Sequence, residues 1–302
     1  MRITSSMAET RELYADAPVG LVPTMGFLHE GHVALLEAAR AECGTVAMTV
    51  FVNPLQFNEA VDLERYPRDL ERDVELAREA GVDMVFAPST EEMYPLPVAT
   101  TVSVAPLTER MEGAHRPGHF EGVATVVTKL LAGLRPDRAY FGKKDAQQLA
   151  TIRRLVVDLS IPTTVVAHPT VRESDGLALS SRNVFLSATD RKAALALSRG
   201  LMVAADAAEA GERSGRGLEE IVLDTLAAAG GVEAEYAELA SARDVARLDS
   251  VTEDCFLAVA ASVGDVRLID NVHLDVNPDG VLADRGILLD RPSVLYSQAE
   301  NL

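Results

Sequence analysis

Two histidines three residues apart, His29 and His32, stand in the run Pro23-Thr24-Met25-Gly26-Phe27-Leu28-His29-Glu30-Gly31-His32. On the first turn of a helix, residues three apart share a face. A helix N-terminus also offers unpaired amide donors and the positive end of its dipole to a phosphate. Two imidazoles and a row of amides aimed at one place suit a triphosphate. Zinc is the obvious rival. HEGH is not H-E-x-x-H, however: the second histidine comes one residue too early, and no third ligand is evident. The chain also has no GxxxxGK[ST] loop and no GxGxxG fingerprint, so both common nucleotide-binding readings fail.

Three further segments carry groups fit for the same chemistry. Phe51-Val52-Asn53-Pro54-Leu55-Gln56-Phe57 follows an apolar run and brings two carboxamides, Asn53 and Gln56. Phe141-Gly142-Lys143-Lys144-Asp145-Ala146-Gln147-Gln148 supplies ammonium groups and another carboxamide, Gln148. Gly176-Leu177-Ala178-Leu179-Ser180-Ser181-Arg182-Asn183 supplies hydroxyls and a guanidinium. Each has a plainer reading. Gln147 and Gln148 suit a polar helix face, the two lysines suit solvated charges, and Ser180 to Asn183 suit an ordinary turn. Met25 suits packing, and Arg116 with His119 suits a solvated loop. Co-location favours the chemical reading, because most of these residues fall just past expected strand ends, on the sheet edge where α/β proteins bind ligands.

The elements that must position them alternate. Apolar β-branched runs at Gly20–Pro23, Thr45–Val52, Asp83–Ala87, Arg138–Phe141 and Thr163–Ala167 read as strands, with a further one expected at Thr101–Ala105. Helical spacing predicts helices over Val33–Glu42, Asp69–Ala80, Glu121–Leu134 and Asp145–Leu159. Strands separated by helices of this length imply right-handed βαβ units and a doubly wound, Rossmann-like parallel sheet. After about residue 170 the pattern changes. Ser187-Ala188-Thr189-Asp190 opens a long Ala-rich helix to about Glu209, a second helix runs over Leu218–Ala229, and Glu233–Leu239, Cys255–Ala260 and Asp265–Ile269 alternate like antiparallel strands. The expected organisation is an α/β domain over residues 1–170 that binds nucleotide. A smaller α+β domain follows over 171–302, its last 25 or so residues a tail.

Bulk composition narrows the partners. The chain has 302 residues, 48% of them hydrophobic, which suits about two domains. With 46 acidic and 28 basic residues the net charge is −18, a sign that repels phosphate backbones and anionic bilayers. Nucleic acid and membrane are therefore excluded as partners, and an anionic substrate needs a local basic pocket. Two cysteines far apart, Cys43 and Cys255, allow neither a disulfide framework nor a cysteine-rich zinc site. The N-terminus carries no apolar signal core, and no run of about 18 apolar residues occurs. A cytoplasmic location is expected.

The HxGH run resembles that of adenylyl-transferring enzymes. Together with the three segments above and Arg116-Pro117-Gly118-His119-Phe120-Glu121-Gly122-Val123, it is similar in order and spacing to the pantothenate synthetase family, over about residues 1–275. The resemblance implies ATP-dependent activation of pantoate as an acyl-adenylate, with magnesium, followed by attack of β-alanine and release of AMP. It implies that Met25, Gly26, Phe27, Leu28, His29, Glu30, Gly31 and His32 line the ATP site, with His29 on phosphate and His32 at the family's proton-donor position. Gly142, Lys143, Lys144 and Asp145 hold adenosine and phosphate, Lys144 bearing the useful charge. Val171 contacts adenine, and Leu179, Ser180, Ser181 and Arg182 form a mobile phosphate-side loop. Gln56 and Gln148 hold pantoate, Gln56 lies near β-alanine, and Asn53, Arg116 and His119 belong to the substrate side. A homodimer is implied as well. The chain departs from the family at Phe27 for Ala, Lys143 for Glu, Ala146 for Tyr and Leu179 for Met. None of these removes a group the chemistry needs. The nearest alternative is a nucleotidyltransferase acting on a phosphate ester, which has no use for Gln56 and Gln148. A nucleotide-binding module without activity is the other.

Overall fold

The computed structural model describes residues 1–58 and 60–296, with backbone alone at 60–62. The described chain forms two compact units, one of Met1–Gly142 with Gln147–His168, the other of Lys143–Ala146 with the chain from Pro169 onward.

The first unit is built on a six-stranded, all-parallel sheet of β1 (Arg2–Thr4), β2 (Val19–Thr24), β3 (Thr45–Val50), β4 (Met84–Phe86), β5 (Arg138–Gly142) and β6 (Thr164–His168), in the order β1-β4-β3-β2-β5-β6. Strands buried on both faces read as near-continuous apolar and β-branched runs, as TVAMTV of β3 does. The helices are α1 (Met7–Glu12), α2 (Glu30–Glu42), α3 (Ala60–Arg65), α4 (Leu70–Glu79), α5 (Thr90–Met93), α6 (Glu112–His115), α7 (His119–Leu134) and α8 (Ala146–Asp158). Two apolar layers sandwich the sheet. One includes Leu21, Ala47 and Phe86 with Val123, Val127 and Leu131 of α7. The other packs Val22, Val46 and Met48 against Leu35, Leu36 and Ala39 of α2. The strand order reverses direction between β2 and β5, and the carboxyl ends at such a switch point are where open α/β sheets bind ligands.

The strand expected at Thr101–Ala105 does not form. Its Val104 is buried against the α7 layer, and Val102 gives its amide to Thr125 Oγ1 instead of to a neighbouring strand. The apolar burial expected there is present, but a side-chain acceptor replaces the ladder.

The second unit packs α9 (Ala188–Glu209) and α10 (Gly215–Ala229) on an antiparallel sheet. Ser187 caps α9 through its hydroxyl, which accepts from the Asp190 amide. The sheet comprises β8 (Val232–Ser241), β9 (Cys255–Val263), β10 (Val266–Asn277) and β11 (Gly280–Asp284), β7 (Val171–Arg172) lying outside it. Part of the expected tail is thus structural. The turn at Asp279-Gly280 returns the chain as β11 against β10, and β12 (Ile287–Leu288) pairs parallel to β7. The Asp, Pro and Gly content that reads as a tail is turn chemistry between short strands. The final residues, 297–302, lie outside the described part.

Candidate functional site

The turn between β2 and α2 is shaped by a residue 45 positions away. Asp73 on α4, 1% exposed, accepts from the Phe27 amide at 2.8 Å through Oδ2 and from the Leu28 amide at 2.7 Å through Oδ1. Gly26 and Phe27 both adopt left-handed backbone, φ +84° and +53°. At Gly26 a Cβ would stand 2.8 Å from Asp73 Oδ2, so glycine is needed for space as well as for φ. Burial raises the Asp73 carboxyl above its ordinary pKa even though the Leu28 and Phe27 amides and Arg72 act to lower it. The two amides therefore belong to Asp73, and the row of amides expected to face a phosphate is shorter by two.

His29 is the N-cap of α2, in extended backbone. Its Nδ1 accepts from the Gly31 amide at 3.1 Å, while His32 Nδ1 accepts from the His29 amide at 3.3 Å. The rings lie 4.1 Å apart between centroids. The glycine of the signature has a steric cause: a Cβ at Gly31 would sit 2.9 Å from the His29 ring. An imidazole nitrogen that accepts an N–H carries no proton of its own, so each neutral ring keeps its hydrogen on Nε2. The cap thereby orients two N–H donors rather than two bases.

Beside this turn lies a cluster around Gln56. Asn53, Gln56 and Gly122 meet through Asn53 Nδ2, which donates to Gln56 Oε1 at 3.0 Å and to the Gly122 carbonyl at 3.1 Å. Gln56 Nε2 lies 3.1 Å from Met25 Sδ, joining the cluster to the histidine turn. Arg116 donates to His119 Nε2 at 3.3 Å, and His119 Nδ1 is 2.8 Å from the Gln56 carbonyl. Arginine cannot accept, so the His119 proton resides on Nδ1 and is given to Gln56. Met25, Asn53, Gln56, Arg116 and His119 are brought together. A cavity of about 390 Å³ opens at the carboxyl ends of β2, β3 and β4, with Met25, Gly26, Phe51, Asp73 and Ser89 in its wall. Gln148 is half-buried on α8. Its neighbour Gln147 is structural, donating to the Leu107 and Arg110 carbonyls and accepting from the Glu112 amide.

In the second unit Lys143 Nζ pairs with Asp284 Oδ2 at 2.7 Å. Burial acts to raise the Asp284 carboxyl, but the Lys143 ammonium and the Gly286 amide outweigh it and hold the group below its usual range. Asn271 Nδ2 donates to the Lys143 and Lys144 carbonyls at 3.1 and 2.6 Å, fixing their backbone. Lys144 Nζ lies 3.8 Å from Asp145 Oδ1, too loose an ion pair to occupy the ammonium fully. Val171 and Leu179 are buried and joined by a backbone hydrogen bond of 3.0 Å. Ser180 caps the 3₁₀ turn Ser181–Phe185 by accepting the Arg182 amide, and Arg182 is exposed. The loop is underpinned by Arg172, which grips Asp270 with two hydrogen bonds of 2.6 and 3.0 Å and reaches the Gly176 carbonyl at 3.3 Å.

Asp73, Arg172 and Tyr94, whose hydroxyl donates to Asn53 Oδ1 at 2.8 Å, are supports of the site that the sequence reading missed. Each acts on a residue more than 40 positions away or through a main-chain group, and no local pattern marks either kind of contact. A helix-start reading finds only that Asp69 caps α4.

A family profile described as pantoate-beta-alanine ligase matches residues 2–273. A pantothenate synthetase from Heliobacterium modesticaldum is 51% identical over 281 residues, 91% of this chain and all of the relative. The crystal structure of pantothenate synthetase from Thermus thermophilus is similar with a TM-score of 0.85 and 49% identity, covering 90% of this chain and 98% of that one. The pantoate-beta-alanine ligase of Francisella tularensis, solved in complex with beta-gamma ATP and beta-alanine, has a TM-score of 0.73 at 33% identity, covering 90% and 97%. The match runs from the first strand through the histidine turn and the Gln56 cluster to β10, and on that extent the chain belongs to the pantoate–β-alanine ligase family.

Proposed function

We propose that this protein condenses pantoate with β-alanine at the expense of ATP, through a pantoyl-adenylate. A pantoate carboxylate oxygen attacks the α-phosphorus, an O–P bond forms, the bond to the β-phosphate oxygen breaks, and pyrophosphate leaves. The β-alanine amine then attacks the acyl carbon. The new C–N bond becomes the amide of pantothenate, the amine loses its extra proton, and AMP departs with the electron pair of the C–O bond. A carboxylate is a poor electrophile, and adenylation supplies the leaving group, so no covalent protein nucleophile is needed.

The protein's tasks are positioning two anions and spreading charge off the α-phosphate. The paired rings at the start of α2, each held through Nδ1 by a main-chain amide, are the single observation that carries this reading. Lys144 and Arg182 add cationic donors, with Ser180 and Ser181 on the same loop. Met25 to His32, Gly142 to Asp145, Val171 and Leu179 to Arg182 form the nucleotide's surroundings. Gln56 and Gln148 hold the acid, with Asn53, Arg116 and His119 shaping its side. The first domain, 1–170, binds nucleotide and acid, and 171–302 serves as the lid. Magnesium enters as part of the nucleotide substrate, held by phosphate oxygens and water, as is usual for this ion. The working form is a homodimer in the cytoplasm; among the described residues no helix is long and apolar enough to cross a membrane.

The test is exchange of labelled pyrophosphate into ATP. Exchange is expected only with pantoate and magnesium present. Its absence under those conditions refutes the reading, and a stable dinucleotide-like product would assign the chain to the nucleotidyltransferases instead.

A further inference from the structure

Gln56 is a symmetric-looking group, since a carboxamide can face a ligand with its oxygen or with its nitrogen. Here the choice is made by backbone atoms elsewhere. The Gly122 carbonyl can only accept, so the Asn53 atom 3.1 Å from it must be the amide nitrogen. The Leu55 N–H can only donate, so the Asn53 atom 3.4 Å from it must be the oxygen. Tyr94 Oη, 2.8 Å from that oxygen, must then donate its proton. The second hydrogen of Asn53 Nδ2 is directed at the remaining member, 3.0 Å away, which must therefore be Gln56 Oε1. Gln56 turns its Nε2 toward Met25 Sδ. Both ends of the chain agree, and every link sits in the first unit.

From this polarity chain, and resting on the ligase reading above, we infer that Tyr94 and Asn53 are positioning residues that fix the flip state of the Gln56 amide, so that Gln56 meets the acid through its Nε2 hydrogens. Gln56 Oε1 is turned to Asn53, whose hydrogen takes one of its lone pairs, and one hydrogen of Nε2 faces sulfur, a weak acceptor. The other N–H is what the side chain offers a substrate. Its partner must be a carboxylate or hydroxyl oxygen lone pair; an amide or ammonium at that position finds no acceptor. Gln56 is buried at 9% exposure, so a wrong partner there leaves polar groups unpaired away from water. Tyr94 is suited to the remote end. Burial pushes its hydroxyl up to about 12, so it remains a proton donor throughout the working range. The Gln56 main chain is pinned separately by His119, which leaves the side-chain amide as the part the relay sets.

The experiment reads pantoate-dependent pyrophosphate exchange on the full chain, with KM for pantoate and for ATP taken separately and thermal unfolding alongside. In Asn53→Asp the carboxylate still accepts from Leu55 and Tyr94 but has no hydrogen for Gln56 Oε1. The Gln56 amide then reverses and turns its oxygen on the acid. KM for pantoate is expected to rise roughly 10- to 100-fold, the span of one buried polar group left unpaired, with KM for ATP held within about twofold. Tyr94→Phe keeps the polarity but loses the anchor, and a rise in pantoate KM of about three- to tenfold is expected. It also protects the test should Asn53→Asp fail to fold. Wild-type exchange with pantoate KM unmoved in both variants, or ATP KM moving in parallel, overturns the relay and leaves the ligase reading standing. No exchange in the wild type overturns both.

Discussion

Replacing Asp73 by Asn changes one atom, and the geometry around it sets the expected size of the effect. In the native protein each carboxylate oxygen takes one amide, Leu28 at 2.7 Å and Phe27 at 2.8 Å. Asn offers one oxygen, so one amide loses its acceptor and faces an NH₂ group. A hydrogen bond to a charged group contributes about 1.5–3 kcal/mol. An opposing effect reduces the net loss of stability. The Asp73 pKa is raised, chiefly by burial, so the ionised carboxylate is less at ease in the fold than in the unfolded chain. Stability linked to this group is therefore highest at low pH and declines as pH rises through the folded pKa. A neutral Asn escapes that penalty. The two effects together leave a stability loss of about 1–2 kcal/mol near neutral pH. Activity should suffer more, because the freed turn carries His29 and His32, and even a small misplacement of catalytic donors can cost on the order of 100-fold. Denaturant unfolding and pyrophosphate exchange on the same preparation decide the matter. An Asp73→Asn protein with both properties unchanged refutes the clamp. A stability loss above about 4 kcal/mol makes Asp73 a core support rather than a positioning group.

Two further outcomes follow from the same geometry. His32→Asn keeps an oxygen where Nδ1 accepts the His29 amide but has nothing at Nε2, whereas His32→Gln does the reverse. If the rings act as neutral donors, Asn is expected to fold normally with exchange reduced by about 10²- to 10³-fold, and Gln to retain clearly more; equal loss in both indicates a true proton transfer. Glu209 accepts from Arg285 and the Ala283 amide, which lower its pKa from 4.5 to about 2. The stability it contributes is complete above the unfolded value of 4.5 and disappears as pH falls through about 2, so Glu209→Gln should flatten the acid limb of a stability–pH curve in that window. An unchanged limb would show that the Arg285 pair contributes nothing measurable, as many exposed ion pairs do.

Most of the strands were legible because burial on two faces writes itself as short runs rich in Val, Leu, Ala and Met, as in β3. Helix ends were legible where a cap is a single residue, as at Asp69 and Ser187. Thr101–Ala105 shows the limit, since burial alone does not say whether an amide meets a strand or the Thr125 hydroxyl. β11 and β12 show it again, short apolar runs set between turn residues.

The sequence by itself determined which groups could do chemistry, namely paired imidazoles three apart and carboxamides and lysines after strands, within an acidic balance. These depend on residue type and near-neighbour spacing, which a linear reading contains. Tertiary structure alone decided how those groups are used. It took the Phe27 and Leu28 amides away from any phosphate and gave them to Asp73, placed the imidazole protons on Nε2, and chose which end of Gln56 faces outward. Hydrogen-bond direction depends on what stands within about 3 Å. In the clamp and in the Tyr94–Asn53 link those neighbours come from more than 40 residues away, a distance over which the linear pattern carries no signal.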